Sequence, residues 1–226
     1  MKTQKFKRAW IVTIGNELTT GLVADINASV SARFLLKRGY DVARIVSVPD
    51  TERAITSVVG EALRKSDFVI ITGGLGPTHD DVTKNALCKF FKCKTRFNPS
   101  VLRQVQGMFK KFGKKTPGIN RSYADVPTAA IAVRNGAGIA PGLLFKNRVL
   151  VLPGVPHEAR HMLETSALRL VPFGGMHAAD KIFRTAGASE TRLSDGMKGL
   201  SSALKIVEVA FLPSLGNVDV RIISRD

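Results

Sequence analysis

DFVIITGGLGPTHDD, residues 67 to 81, is the stretch on which the fold turns. A β-rich apolar run, DFVIITGG, leads straight into Gly73, Gly74 and Gly76, and DDVTKNALCKFF (80 to 91) resumes with helical spacing. Glycines let the backbone approach a ligand closely, and the free N–H groups at a helix mouth commonly receive a phosphate. Two carboxylates, Asp80 and Asp81, follow in the same loop, and they would repel a phosphate. The loop is not a dinucleotide fingerprint, because GxGxxG from Gly74 would need glycine where His79 stands, and no GK[ST] follows to make a P-loop. Thr78 and Asp81 match a capping box that would satisfy the first N–H groups of the helix. Asp80 is the acid that capping explains least.

Outward from this stretch the chain alternates. AWIVTIG (9 to 15) reads as a strand, DINASVSARFLLKRG (25 to 39) as a helix, DVARIVSV (41 to 48) as a strand and TERAITSVVGEALRKS (51 to 66) as a helix. Such alternation predicts right-handed βαβ units and a mostly parallel α/β sheet, with ligands bound beyond the carboxyl ends of the strands. Further on, PSVLRQVQGMFKKFG (99 to 113) is helical, KKTPGIN (114 to 120) is a loop, and AAIAVRNG, GLLFKN and RVLVLPG (129 to 154) are short strands. VPHEARHMLETSALRL (155 to 170) is a helix. The run Pro172 to Gly175 marks a boundary, so the expected domains are 1–172 and 180–226, the second a small β-α-β-β unit.

If the first and third strands are neighbours, Glu17, Asp25 and Asn27 share a rim with the glycine loop, and Asp50 joins them from the second strand. Each has a structural reading as well: Asp50 or Thr51 can cap the helix that follows, and Asp25 the one before it. His157, Glu158 and His161 spell HExxH, the spacing of a helical zinc site, but the motif opens directly after PGVP and lacks the metzincin continuation. They read as surface or packing residues.

The 226 residues, 44% hydrophobic and 23% charged, are enough to bury a real core. No run approaches the roughly 18 apolar residues of a membrane helix, and the expected location is the cytoplasm. Cys88 and Cys93 fit neither a disulfide framework nor a zinc knuckle and read as reduced thiols. The formal net charge is +16, and no acidic residue stands between Asp81 and Asp125, a window that holds eleven Lys and Arg. A basic face of this kind favours polyanions, either a nucleotide steered to a site or nucleic acid.

The ordered series IGNELTTGLVADINA, GGLGPTHDDVT, NGAGIAPG (135 to 142) and LPGVPHE (152 to 158) resembles the molybdopterin-binding-like domain at the start of CinA proteins, shared by MoaB, MogA and MoeA proteins. The likeness spans about residues 8 to 170. FRTAGASETRL and FLPSLGNVDVRI are similar to the start of the KH-like middle domain of the same family. The C-terminal deamidase domain of full-length CinA is not expected in this chain, so nicotinamide mononucleotide deamidation is not assigned.

The resemblance implies a three-layer αβα domain followed by a small α+β segment, a homo-oligomer (dimer or trimer), and a pocket for a phosphorylated pterin or a nucleotide. For the CinA branch it implies metal-dependent hydrolysis of a nucleotide diphosphate such as ADP-ribose or FAD. Asp50, Asp80 and Asp81 then take catalytic positions, Asp80 and Asp81 holding a divalent cation (magnesium, cobalt or manganese). Asn16, Glu17, Asn27, Gly73, Gly74, Gly76, Thr78, Asn120, Gly154 and Glu158 take the ligand-binding positions. Tyr123 and Ala124 depart from the family pattern, often Gln-Ala, at one pocket wall. One alternative keeps the pocket but makes the ligand molybdopterin, bound for adenylylation or metal insertion. Another is an RNA-binding protein with an inactive pocket, although the tail shows no GxxG clamp loop.

Overall fold

The computed structural model describes residues 6–76, 82–113, 121–175, 178–200, 202, 204 and 206–225. It divides into two compact units, Phe6–Gly174 and a smaller one from Gly175 onward.

In the larger unit the strands β1 (Lys7–Ile14), β2 (Tyr40–Val48), β3 (Phe68–Thr72) and β8 (Val149–Leu152) lie parallel, and β7 (Gly142–Phe145) and β6 (Ala130–Val133) close the sheet antiparallel. The order is β2-β1-β3-β8-β7-β6. Every residue of β3, β7 and β8 is buried, which is why these runs are apolar throughout instead of alternating. The two-residue period of a strand sends alternate side chains to opposite faces. Trp10, Val12 and Ile14 of β1 pack with Val69 and Ile71 of β3 against helices α3 (Glu52–Lys65), α4 (Thr83–Phe90) and α5 (Pro99–Lys111). Ala9, Ile11, Phe68 and Ile70 pack on the other side against α2 (Ile26–Lys37) and α7 (Pro156–Glu164). The result is three layers, α/β/α, with a core on each face of the sheet.

Caps set the helix starts. Thr51 accepts from Ala54 N–H to open α3, and Asn98 accepts from Ser100 and Val101 N–H to open α5, with Pro99 in the first turn. Asp25 caps α2, the helix after it and not the one before, by accepting from Ala28 N–H at 2.9 Å. The helix after the glycine loop runs from Thr83 with Val82 at its N-cap and no side-chain cap bond; Thr78 and Asp81, the predicted capping box, lie outside the described residues. Two short features escape sequence periodicity: the strand pair β4 (Thr95–Phe97) and β5 (Asp125–Pro127), and the single-turn helices α1 (Asn16–Thr19) and α6 (Arg121–Ala124). Three or four residues are too few to display a period.

The smaller unit is β9 (Ala178–Ala186), α8 (Glu190–Gly196), β10 (Val207–Ser214) and β11 (Asn217–Arg225), an antiparallel sheet in the order β10-β11-β9. Ser189 caps α8, and Arg221 grips Asp180 with two nitrogens at 2.9 and 2.7 Å. Among the described residues no helix is long and apolar enough to cross a membrane.

Cys88 and Cys93 are free thiols, as their sequence predicts, and lie beside each other. Cys93 N–H donates to Cys88 O at 2.9 Å, and burial together with the neighbouring Cys93 pushes the Cys88 thiol up to about 11. At pH 8, iodoacetamide should label Cys88 on the order of a hundredfold more slowly than a free cysteine, measured by mass spectrometry over time. A rate within tenfold of the free amino acid would contradict this shielding.

Candidate functional site

The parallel strands bring their carboxyl ends to one rim, where the loops after β1, β2, β3 and β8 meet. Gly73 closes the space between three strands. Its N–H donates to Leu152 O at 3.1 Å, its φ is +109°, and a Cβ placed on it would lie 2.2 Å from Ile14 O. Only glycine tolerates both the conformation and the contact. At Gly74 (φ +64°) a Cβ would lie 2.1 Å from Thr83 Oγ1, so the first turn of α4 tucks directly beneath the glycine turn. Asn27 ties the first-strand loop to the same place by donating to Gly154 O at 2.7 Å.

Three polar atoms at this rim are buried without a hydrogen-bond partner among the described residues: Thr72 Oγ1, Thr83 Oγ1 and Asn27 Oδ1. Buried polar groups are nearly always paired, and leaving one unpaired costs about 1–3 kcal/mol. Thr72 and Thr83 lie behind the glycine turn and are not among the residues that line the cavity beyond it.

The rim opens into a cavity of about 720 Å³. Gly74, Gly76 and Gly154 form its glycine wall, and Phe112 and Tyr123 contribute aromatic rings. Lys84 places Tyr123 by donating to Ser122 O at 2.6 Å, while Asn98 N–H holds Ala124 O at 2.8 Å. The segment that departs from the family pattern therefore does build a pocket wall. Lys84 and Lys89, the latter paired with Glu52 at 2.6 Å, show that part of the basic window has structural partners.

Opposite stands the NGAGIAPG loop, organised by Asn135. This side chain, 6% exposed, accepts from Ala137 and Gly138 N–H (3.0 and 2.8 Å) and donates to Ala140 O (2.9 Å) and Glu158 Oε2 (2.6 Å). A Cβ on Gly138 would collide with the Glu158 carboxylate, and one on Gly136 would lie 2.6 Å from His161 Nε2. The glycines are there so that α7 can press these side chains against the loop.

The predicted residues thus separate. Gly74, Gly76, Gly154 and Glu158 line the cavity; Gly73 and Asn27 shape the rim behind it; Asn16, Glu17 and Asp50 are not among its lining residues. Asp50 is bound reciprocally to Asn16: its carboxylate accepts from Asn16 N–H at 2.8 Å and its N–H donates to Asn16 Oδ1 at 3.3 Å. The carboxylate of Glu17 folds back over Gly15, where a Cβ would lie 2.4 Å from Oε1. Asp25 accepts from the Thr13 hydroxyl as well as capping α2. Among the described residues no three His, Cys, Asp or Glu side chains gather as a metal ion would need, the HExxH residues included. Asp80 and Asp81, the predicted metal ligands, lie outside the described residues, as do Thr78 and Asn120. Asn135 and Phe112 are the site residues that sequence reasoning did not select, and Tyr123, which it placed at a pocket wall only by resemblance, lines the cavity. For Asn135 the pointer was present, since asparagine before a glycine-rich turn commonly bonds backbone N–H groups two and three residues on.

The model for a probable molybdopterin binding domain matches residues 10–172. A CinA-like protein of Chloroherpeton thalassium is 33% identical over 96% of this chain and 54% of its own length. Another, from Gemmatimonas aurantiaca, is 37% identical over 95% of this chain and 52% of its own. The chain spans about half the length of these curated relatives. Among solved structures, the protein CinA of Thermoplasma acidophilum, titled as of unknown function, is similar with a TM-score of 0.66 and 32% identity, covering 73% of this chain and 98% of that one. The chain belongs to the family of probable molybdopterin binding domains, as a CinA-like member whose likeness to its relatives runs on through the smaller unit.

Proposed function

We propose that the pocket binds a phosphorylated pterin of the molybdopterin type. The observation that carries this reading is the joining, in one cavity, of the glycine turn at Gly74 and Gly76 with a wall bearing Phe112 and Tyr123. The first arrangement suits a phosphate and the second a flat heterocycle. The family match over the same residues supports the reading. Of the described acids near the rim, Asp25 and Asp50 already accept from backbone N–H groups.

Thermal unfolding with and without ligand tests it. Molybdopterin at a hundredfold its Kd should raise the Tm by about 5 °C, with ADP-ribose at the same concentration raising it less. Equal or stronger stabilisation by ADP-ribose would overturn the preference for a pterin.

The second reading, metal-dependent hydrolysis of a nucleotide diphosphate, rests on Asp80 and Asp81 following the glycine turn in sequence. ADP-ribose turnover that requires magnesium, manganese or cobalt and falls at least about a hundredfold in both Asp80→Asn and Asp81→Asn would establish it in place of the first.

A further inference from the structure

Glu158 enters the cavity from the first turn of α7 with a carboxylate that is held in place. Asn135 donates to Oε2 at 2.6 Å, and Asn135 is itself immobilised by three backbone bonds and by burial. The carboxylate lies against the backbone of Gly138, within 2.3 Å of where a Cβ would stand, so it has no room to retreat on that side. Oε1 accepts no hydrogen bond from any described residue. A carboxylate oxygen accepts two hydrogen bonds, so among the described residues Oε1 is open and Oε2 keeps one position after Asn135 is served.

A fixed carboxylate facing a heterocycle site is an acceptor for paired N–H donors. A 2-amino-4-oxo ring presents such a pair, a ring N–H beside an exocyclic amino group, matching two carboxylate oxygens in a bidentate contact. A 4-oxo ring without the amino group presents one donor. Adenine presents its amino donor beside a ring acceptor, and that acceptor would face a carboxylate oxygen.

On the reading of this pocket as a heterocycle-phosphate site, we propose that Glu158, positioned by Asn135, determines specificity by selecting rings with adjacent ring N–H and amino donors. Pterins and guanine share this edge, and adenine and hypoxanthine do not. Neighbouring groups serve the rest of the ligand: the glycine turn takes the phosphate, and Phe112 and Tyr123 offer ring surface.

Isothermal titration with GMP, IMP and AMP, which share one phosphate and differ at this edge, tests the proposal. The wild type should bind GMP about tenfold or more tighter than IMP or AMP. Glu158→Gln, nearly isosteric but with one acceptor replaced by a donor, should bring the three within about threefold of one another, chiefly by weakening GMP. Asn135→Ala should do the same by releasing the carboxylate. Equal wild-type affinities for the three would overturn the proposal and leave the pocket reading intact. A preference for GMP that survives in Glu158→Gln, or a loss of affinity equal for all three, would also overturn it, the second by assigning Glu158 a structural role. Failure of the wild type to bind any of the three or molybdopterin would remove the pocket reading and the proposal together. Should Glu158→Gln not fold, the wild-type ranking decides alone.

Discussion

Replacing Gly73 by alanine is expected to destabilise the larger unit by about 3 kcal/mol or more, measured by urea denaturation. Two costs combine at this residue. The backbone at φ +109° is strained for any residue with a side chain, and the new methyl would stand 2.2 Å from Ile14 O, forcing β1 and β3 apart at their carboxyl ends. Ile14 O is backbone in a central strand and cannot swing aside. Gly21 provides the comparison, because its φ is +74° but nothing lies within 4 Å of a Cβ there. Gly21→Ala should therefore cost only the conformational part, about 1–2 kcal/mol. If the two variants were equally stable, close approach of the strands would not be the reason for glycine at 73. Because a domain of this size is stable by about 5–15 kcal/mol, Gly73→Ala should still fold at low temperature, with its pocket distorted.

A second large effect is expected at Phe145. Its ring is wholly buried at the end of β7 and stacks on Phe91, with centroids 4.9 Å apart and planes 14° from parallel. Truncation to alanine removes the ring from the α3/α4 side of the sheet and leaves a cavity that the surrounding strands cannot close. The expected loss is about 3–5 kcal/mol, against about 1 kcal/mol for Phe145→Leu, which refills most of the volume. Phe145 lies at the opposite end of the sheet from the glycine rim. Ligand affinity of the folded Phe145→Ala protein should therefore match the wild type, which separates core packing from site geometry. A loss below about 1 kcal/mol would mean that this side of the core repacks.

Much of the fold was legible because its strands are buried on both faces. DFVIITGG and RVLVLPG show continuous apolar character, and the helices between them carry a clear apolar face, so alternation and a mostly parallel sheet follow from local physics. The glycine turn was legible for a related reason, since backbone conformation restricts residue choice. The acids were harder. Asp25, Asp50 and Glu17 were read together as a rim cluster, yet Asp25 is occupied by Ala28 and Thr13 and Asp50 by Asn16, while Glu17 lies over Gly15. A carboxylate's type and spacing do not reveal whether a neighbouring N–H has already claimed it.

From sequence alone came the order of strands and helices, the turn after β3 and the resemblance of its motifs to the molybdopterin-binding-like domain. These depend on residues adjacent in the chain or one helical turn apart. Only the tertiary structure joined Asn135 to Glu158, 23 residues later, and Asn27 to Gly154, 127 residues later. It also put Phe112 on the pocket wall and set Thr83 beneath Gly74. Hydrogen bonds of a few ångströms between distant segments leave no periodic trace in a sequence, because one buried partner suffices to make each and no neighbouring residue need repeat it.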